Sequence, residues 1–169
     1  RAAGPFVDVN CAGLTKELIE SELFGHVRGA FTGALADKIG LFDAAHTGTL
    51  FLDEIGDVDP LVQPKVLKVL EDKRFRRMGE VKERAVDVRL IAATHKPLLA
   101  AVEQQRFRAD LYYRISTVTI VVPPLRDRPE DILPLVRHIL AARGSSHVAL
   151  AEEAKEKLLR HRWPGNIRE

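Results

Sequence analysis

The sequence is poor in cysteine and in long apolar runs, and its charges nearly cancel. Cys11 is the only cysteine among 169 residues, which excludes an internal disulfide and a structural zinc site built from several cysteines. No apolar run approaches the ~18 residues of a transmembrane helix, and no secretory signal is present. The 26 basic and 24 acidic residues give no charge signal for nucleic-acid binding. These absences favour a cytoplasmic protein with no membrane partner.

The sequence is rich, by contrast, in alternating strand and helix signals. Four apolar runs are predicted as strands: residues 6–9, 49–53, 88–93 and 117–122. The last three are nearly continuous in apolar and β-branched residues, which is typical of parallel strands covered on both faces. Helical spacing occupies Lys16–Phe24 and the segment after Pro60, where Pro64 must lie in the first turn or cause a kink. The alternation predicts an α/β fold.

After residue 122 the pattern becomes helical. A helix is predicted to open at Pro129 and to break at residues 144–146, and a second helix is predicted at about residues 152–161. Residues 163–166 are predicted to form a turn before a third helix. We therefore divide the chain into an α/β subdomain, residues 1–124, and a small all-helical subdomain, residues 125–169.

The most unusual segment is the run Gly29-Ala30-Phe31-Thr32-Gly33-Ala34. Two glycines and two alanines cannot build a core of their own, and glycine permits backbone conformations closed to other residues. One interpretation is that Phe31 and Thr32 are presented to a partner. The other is an ordinary glycine-rich turn with Phe31 in the core.

Polar residues follow the predicted strands where ligands bind in α/β sheets. Asp53 and Glu54 end the second strand, so they reach the carboxyl edge of the sheet. One carboxylate there can hold magnesium, largely through water, and the next can polarise a water for attack on a phosphate. The alternative is a surface pair that caps the following loop. Asn10 follows the first strand and fits an ordinary turn equally well.

Four further polar residues leave alternatives open, and His95 could equally be a plain residue at the end of a strand. Thr94 and His95 end the third strand, and His95 is not a metal ligand because no second His or Cys lies at ligand spacing. Arg108 and Arg114 have the chemistry to bind phosphate oxygens, but surface arginines that pair with Asp110 and other acids are the plainer interpretation.

Two motifs identify a family resemblance. ESELFGHVRGAFTGA, residues 20–34, and GLFDAAHTGTLFLDEIGD, residues 40–57, closely resemble bacterial enhancer-binding proteins, the AAA+ activators that work with RNA polymerase carrying sigma-54. The resemblance continues to the last residue. It implies an AAA+ P-loop NTPase-like parallel sheet with a helical lid, ATP and Mg²⁺ as cofactors, and a ring, in this family a hexamer. It also implies that the loop Gly29–Ala34 contacts the sigma factor.

The resemblance assigns roles at the sheet edge. Asp53 and Glu54 match the Walker B acids, with Asp53 associated with magnesium and Glu54 the catalytic base. Asn10 matches an asparagine that contacts the catalytic glutamate and reports the nucleotide state. Thr94 and His95 match sensor I, which reads the γ-phosphate or orients the attacking water.

The resemblance assigns roles to three arginines and a second loop. Arg108 and Arg114 match arginine fingers that act on a neighbouring subunit's nucleotide, and Arg168 matches sensor II, which reaches phosphate from the lid. Residues 74–87 resemble a hairpin-like loop lining the ring pore. Contact of its basic residues with promoter DNA is one interpretation, and a solvated loop is the safer one because acids are interspersed.

One motif of the family is missing from the sequence. No Gly-x-x-x-x-Gly-Lys-Ser/Thr loop is present; the resemblance places it, with its strand, before residue 1, and that strand lies between the predicted third and last strands. Both chain ends look cut, and a regulatory domain and a DNA-binding helix-turn-helix are also absent. We interpret the chain as a trimmed piece, or else a fragment, and do not expect it to be an active ATPase alone.

The resemblance therefore implies an ATP-dependent activator that remodels the sigma-54 RNA polymerase closed complex. Another AAA+ remodeller, such as a clamp loader or chelatase, is the rival enzyme, and the Gly29–Ala34 loop argues against it. A non-hydrolysing module that only binds the sigma factor is the rival from another class. The target genes and the sensed signal are not encoded in these motifs.

Overall fold

The computed structural model describes residues 3–145 and 148–169; Arg1, Ala2 and Ser146, which belong to the predicted loop at the start and the predicted helix break, lie outside the described residues. Two compact units, Arg1–Val118 and Thr119–Glu169, make up the chain. The predicted boundary after residue 124 falls slightly later than the division between these units.

The described residues form seven β-strands and seven α-helices. The strands are β1 Phe6–Asn10, β2 Gly25–His26, β3 Lys38–Ile39, β4 Thr49–Asp53, β5 Arg74–Phe75, β6 Arg84–Ala85 and β7 Arg89–Ala92. The helices are α1 Lys16–Phe24, α2 Leu41–Ala44, α3 Gln63–Asp72, α4 Leu98–Glu103, α5 Ala109–Ile115, α6 Ile132–Ala142 and α7 Glu152–Arg160.

The first unit is organised around a three-stranded parallel sheet in the order β1-β4-β7. Asn10 pairs with Asp53 in the register of β1 and β4, and Leu52 pairs with Ala92 in that of β4 and β7. Because all three strands run the same way, their polar ends meet at one edge of the sheet. The predicted α/β class and parallel sheet are confirmed.

The sheet is well covered on one face only. Leu50 and Leu52 are fully buried, against a core that α1, α3 and α5 share. On the other face Phe51 is half-buried, and Phe6 and Ile91 are exposed. The prediction that strands 49–53 and 88–93 are covered on both faces is therefore wrong, since apolar composition reports hydrophobicity and does not count the layers around a strand.

The predicted fourth strand, residues 117–122, is absent. These residues form no strand, and Val118, Ile120 and Val121 are each about four-fifths exposed, at 79%, 82% and 82%. A parallel strand forms only when a neighbour satisfies its backbone groups. The family resemblance predicts a further strand between this segment and β7. The described residues contain no such strand, so the segment has no neighbour to pair with.

The helices of the first unit begin and end where the sequence indicates. The Thr15 hydroxyl accepts the Leu18 N–H at 3.4 Å and caps α1, and Gly25 ends it with φ 74°. Pro64 lies in the first turn of α3, as predicted. Val62, directly before α3, lies in the core together with the apolar buried face of the helix, Val66, Leu67, Val69 and Leu70.

Two short hairpins extend from the first unit and touch each other. β2 and β3 are antiparallel and carry the glycine-rich loop between them; β5 and β6 are antiparallel and form the predicted hairpin-like element of residues 74–87. The Val27 N–H donates to the Met78 carbonyl at 3.1 Å, and the Met78 N–H donates to the Gly25 carbonyl at 3.0 Å. The bases of the two loops are therefore joined through the backbone.

The second unit consists of α6 and α7 with short 3-10 turns. The predicted helix start at Pro129 is a 3-10 turn, after which α6 begins at Ile132. The predicted third helix is a single 3-10 turn, Asn166–Arg168. The Asn166 side chain accepts the Leu125 N–H at 3.0 Å, which joins the two ends of this unit.

Candidate functional site at the sheet edge

Glu54 has a strained backbone at the end of β4. Its φ and ψ are 54° and 46°, the left-handed region, which costs a residue with a side chain about 1–3 kcal/mol. The Ile55 N–H donates to the Ala93 carbonyl at 3.0 Å, and Ile55 itself is buried. The neighbouring strand and the core therefore hold the turn that aims the Glu54 side chain. Strain of this kind is characteristic of functional positions.

The Glu54 carboxylate is held by His95. Its Oε2 lies 2.8 Å from His95 Nδ1 and accepts the His95 N–H at 3.2 Å. The side-chain hydrogen bond from His95 is the main cause that lowers the pKa of Glu54. The glutamate is therefore ionised at neutral pH, as a proton acceptor must be.

Asp53 lies beside Glu54 and is bonded on both oxygens. Its Oδ1 accepts the Glu54 N–H at 3.0 Å, and its Oδ2 accepts from Asn10 Nδ2 at 3.4 Å. In this structure Asn10 therefore hydrogen-bonds Asp53, and its contact with the catalytic glutamate stays a prediction. Paired positions in a parallel register share a face, so Asn10 meets the aspartate, while the left-handed turn directs Glu54 to β7 and His95.

Thr94 lies against the turn that follows Glu54. Its hydroxyl accepts the Lys96 N–H at 3.1 Å and lies 2.9 Å from the position that a Cβ would occupy at Gly56. The predicted sheet-edge residues Asn10, Asp53, Glu54, Thr94 and His95 are thus brought together. Sequence analysis missed Lys96, whose ammonium pairs with Asp57 at 2.5 Å; only the folded turn reveals this contact.

The sheet edge is electrostatically negative. Burial is the main cause that raises the pKa of the Cys11 thiol to about 12, and the charges of Asp53, Asp57 and Glu54 add to it. The carboxylate oxygens of Asp53 are ligands that Mg²⁺ prefers, and Mg²⁺ usually keeps several waters. Because the described residues contain no group of three or more potential metal ligands, Asp53 fits only a magnesium ion that keeps most of its waters.

The two candidate arginine fingers lie at the two ends of α5. Arg108 precedes its first turn and binds Asp110 through two contacts, of 3.0 and 2.6 Å, which lower the pKa of Asp110 and raise that of Arg108. Arg114 Nη2 donates to the Leu70 carbonyl at 2.9 Å. Neither meets the Glu54 carboxylate in the single chain, and Arg168 lies in the second unit.

Gln63 holds the start of α5 and was missed by sequence analysis. Its side chain is fully buried; Nε2 donates to the carbonyls of Val58 and Arg106, and Oε1 accepts the Arg108 N–H at 2.8 Å. A buried polar side chain satisfied in this way fixes its partners in place. Its role depends on distant contacts that no local motif reveals.

The glycine-rich loop is folded back on itself. Gly29 N–H donates to the Ala34 carbonyl at 2.9 Å, and the Ala34 N–H donates to the Phe31 carbonyl at 3.0 Å. Thr32 is exposed, Ala34 is buried, and Phe31 is half-buried with its ring 5.0 Å from His26. Thr32 is thus exposed and Phe31 lies neither in the core nor fully in solvent, and the presentation of either residue to a partner stays a prediction.

The fold is that of AAA+ proteins. The chain superposes on NtrX from Brucella abortus, solved in complex with ADP, with a TM-score of 0.87 and 40% identity over 99% of this chain and 37% of that one. The more distant Hsp104 of S. cerevisiae, solved with casein, shares the fold at a TM-score of 0.67 and 21% identity, over 94% of this chain and 32% of that one.

Residues 1–121 match the sigma-54 interaction domain, and residues 126–169 match the AAA+ ATPase lid domain. The chain belongs to the sigma-54 interaction domain family. Similar proteins include the Nif-specific regulatory protein of Herbaspirillum seropedicae, at 50% identity over all of this chain and 32% of the relative. The sigma54-dependent transcriptional activator SfnR of Pseudomonas putida is also 50% identical, over all of this chain and 47% of the relative.

The chain spans a third to a half of the length of these relatives. Within residues 3–145 and 148–169, no helix is both long enough and apolar enough to cross a membrane.

Proposed function

We propose that this chain is the central module of an ATP-dependent activator that remodels the sigma-54 RNA polymerase closed complex. The observation that carries the proposal is the strained, ionised Glu54, held by His95 beside Asp53 at the carboxyl edge of a parallel sheet. That edge is where α/β folds bind ligands. In the whole protein this module acts in the cytoplasm, and its subdomains are residues 1–124 and 125–169.

In this proposal the sheet edge performs the chemistry. Glu54 accepts a proton from the water that attacks the γ-phosphate of ATP, and His95 keeps its carboxylate ionised and oriented. Asp53 would hold Mg²⁺ largely through water, and the ion would supply charge neutralisation at the phosphates. Asn10 orients Asp53, and Thr94 and His95 sense the phosphate.

The arginines act between subunits in this proposal. Within the chain Arg108 binds Asp110 and Arg114 binds the Leu70 carbonyl, and neither meets Glu54. Their target in this proposal is a neighbour's nucleotide in a ring, a hexamer by resemblance. For this role Arg108 must exchange Asp110 for phosphate, and an exposed pair of this kind costs little to break. Arg168 reaches the nucleotide from the lid.

The loop Gly29–Ala34 contacts the sigma factor in this proposal. Its one exposed hydroxyl, Thr32, is offered to the partner, and glycines at φ 81° and 102° let the backbone come close. The neighbouring hairpin of residues 74–87 lies beside it and faces the ring pore, near promoter DNA.

A mixing experiment on the full-length protein tests the proposal. Arg114→Ala and Glu54→Gln subunits are each expected to be inactive as ATPases, and mixed rings are expected to recover part of the activity because some interfaces keep both groups. Mixtures that form rings, seen by native mass spectrometry, yet never exceed either parent contradict the trans-acting arginine. ATP binding to the Glu54→Gln protein separates this proposal from the non-hydrolysing sigma-binding module, which binds none.

A further inference from the structure

His26 is a buried histidine outside the sheet-edge site. It lies in β2, directly before the glycine-rich loop, and only 9% of its surface is exposed. Its Nδ1 lies 2.9 Å from the hydroxyl oxygen of Ser21, which is itself buried on α1. The imidazole therefore has a fixed orientation, set by a helix of the core.

The fixed imidazole supports the aromatic ring of the loop. The Phe31 ring centroid lies 5.0 Å from that of His26, and the two planes meet at 73°, an edge-to-face arrangement. Aromatic rings prefer this geometry because the edge of one carries positive charge and the face of the other negative charge. The contact leaves Phe31 half-buried, although the loop around it has little core of its own.

Backbone hydrogen bonds hold the loop in the conformation that places Phe31 against His26. The Ala30 N–H donates to the Val27 carbonyl at 3.1 Å, and the Arg28 N–H donates to Asp37 Oδ1 at 2.8 Å. These bonds return the chain toward β2 and bring Phe31 over His26. For Phe31 to contact a partner, its ring must first lose its contact with the His26 imidazole.

We infer that His26, oriented by Ser21, is a positioning residue that holds Phe31 in a folded-back state and so sets the availability of the loop for its partner. The inference deepens the proposed function and rests on it for the identity of the partner, sigma-54. The positioning itself is a property of the chain and is testable without sigma-54.

Chymotrypsin cleavage after Phe31 measures release of the loop in the full-length protein. Cleavage after Tyr113, exposed on α5, serves as the internal reference in the same digest. His26→Ala is expected to speed cleavage after Phe31 by about 2- to 10-fold, the ratio that corresponds to an aromatic pair. His26→Phe keeps a ring under Phe31 and is expected to stay closer to wild type, while Ser21→Ala is expected to fall between.

The same digest supplies the control and the results that would contradict the positioning role. His46→Ala removes an exposed histidine of the same unit and is expected to leave both rates unchanged. If His26→Ala lowers the stability of the protein and speeds both cleavages equally, Ser21→Ala is used instead to decide whether Phe31 is released selectively. Unchanged cleavage after Phe31 in a folded Ser21→Ala or His26→Ala protein overturns the positioning role.

Binding of sigma-54 to the same variants distinguishes two claims: that His26 positions Phe31, and that this positioning controls sigma-54 binding. Without nucleotide, His26→Ala is expected to bind sigma-54 about 2- to 10-fold more tightly, because Phe31 no longer has to leave its imidazole. If Phe31 is released and sigma-54 binds neither wild type nor variant, whether or not ATP is present, the proposed function is wrong and the positioning role stands. If released Phe31 leaves a measurable sigma-54 affinity unchanged, the link between positioning and partner is wrong.

Discussion

The sheet edge and the loop Gly29–Ala34 lie in the same unit and are built in opposite ways. At the sheet edge, a strained Glu54 sits beside fully buried Leu52 and Ile55, and its carboxylate is bonded at fixed distances. The loop is held by backbone hydrogen bonds and one ring contact, and Thr32 faces solvent. Rigid support suits a group that must meet a reacting water, and weak support suits a segment that must meet a partner.

Because the two regions are supported in different ways, we expect a substitution in one region to leave the function of the other region intact. Damage at the sheet edge is expected to stop hydrolysis and leave the loop intact. Damage in the loop is expected to stop partner binding and leave hydrolysis intact. Five substitutions test this separation, in order of decreasing effect.

Glu54→Gln is expected to have the largest effect. In the full-length protein it is expected to retain ATP binding and to lose turnover by about 10²–10⁴-fold, since the amide cannot accept a proton from water. Steady-state phosphate release and nucleotide binding on one sample measure the two properties. Glu103→Gln, the same change at an exposed position of α4, is the control and is expected to be silent. Normal turnover in Glu54→Gln removes this residue from the mechanism.

Thr32→Ala is expected to abolish sigma-54 binding and promoter opening while ATP hydrolysis stays nearly intact. The exposed hydroxyl supports no core, and one or a few residues often dominate an interface. Phe31→Ala is expected to behave similarly. A pull-down with sigma-54, an ATPase rate and a melting curve form the measurement, with Thr47→Ala at another exposed threonine as control. A joint fall of all three quantities marks the loop as structural.

Gly79→Ala is expected to destabilise the junction of the two loops. A Cβ at Gly79 would lie 2.8 Å from Ala30 Cβ, whereas one at Gly13 meets nothing within 4 Å, and both glycines have nearly equal φ, 76° and 74°. Both alanines therefore carry the left-handed penalty of about 1–2 kcal/mol, and Gly79→Ala adds about 1–3 kcal/mol for overlap. Chemical denaturation compares the two. Equal losses of unfolding free energy show that the loops do not press on each other.

The smallest expected effect is a change in the pH dependence of hydrolysis, which His95→Ala adds to the turnover that it loses with the orientation of Glu54. The His95 hydrogen bond lowers the folded-state pKa of Glu54, so its stabilisation is present above the ordinary carboxylate pKa and is lost as pH falls through the folded value. Without His95 the pKa of Glu54 rises, and the acid limb of the kcat/KM profile moves to higher pH. His46→Ala is the control. An acid limb that does not move shows that Glu54 does not govern it.

Local sequence patterns predicted much of this structure because local chemistry decides it. α1 begins at its threonine cap and ends at Gly25, and β4 occupies the predicted run Thr49–Asp53. Because the carboxyl ends of parallel strands meet at one edge of the sheet, the sequence alone predicted that Asn10 would lie near Asp53 and Glu54. Residues 117–122 failed as a strand, because apolar composition does not supply a hydrogen-bonding neighbour.

Contacts between distant segments were not predictable from the sequence. Gln63 meets Arg108 45 residues away, and the Asn10 amide reaches the aspartate because register and a left-handed turn decide which carboxylate it meets. His26 belongs to the same class, since its contact with Phe31 depends on how the loop folds back. The roles assigned to the arginines stay predictions that need a neighbouring subunit.

Promoter opening by the full-length protein with sigma-54 polymerase, followed alongside ATP hydrolysis in the same reaction, tests the central claim most directly. Wild type is expected to open the promoter only while ATP is hydrolysed. Thr32→Ala is expected to hydrolyse ATP without opening it, and Glu54→Gln is expected to do neither. Promoter opening by Glu54→Gln, or opening by Thr32→Ala at the wild-type rate, contradicts the division of labour between the sheet edge and the loop.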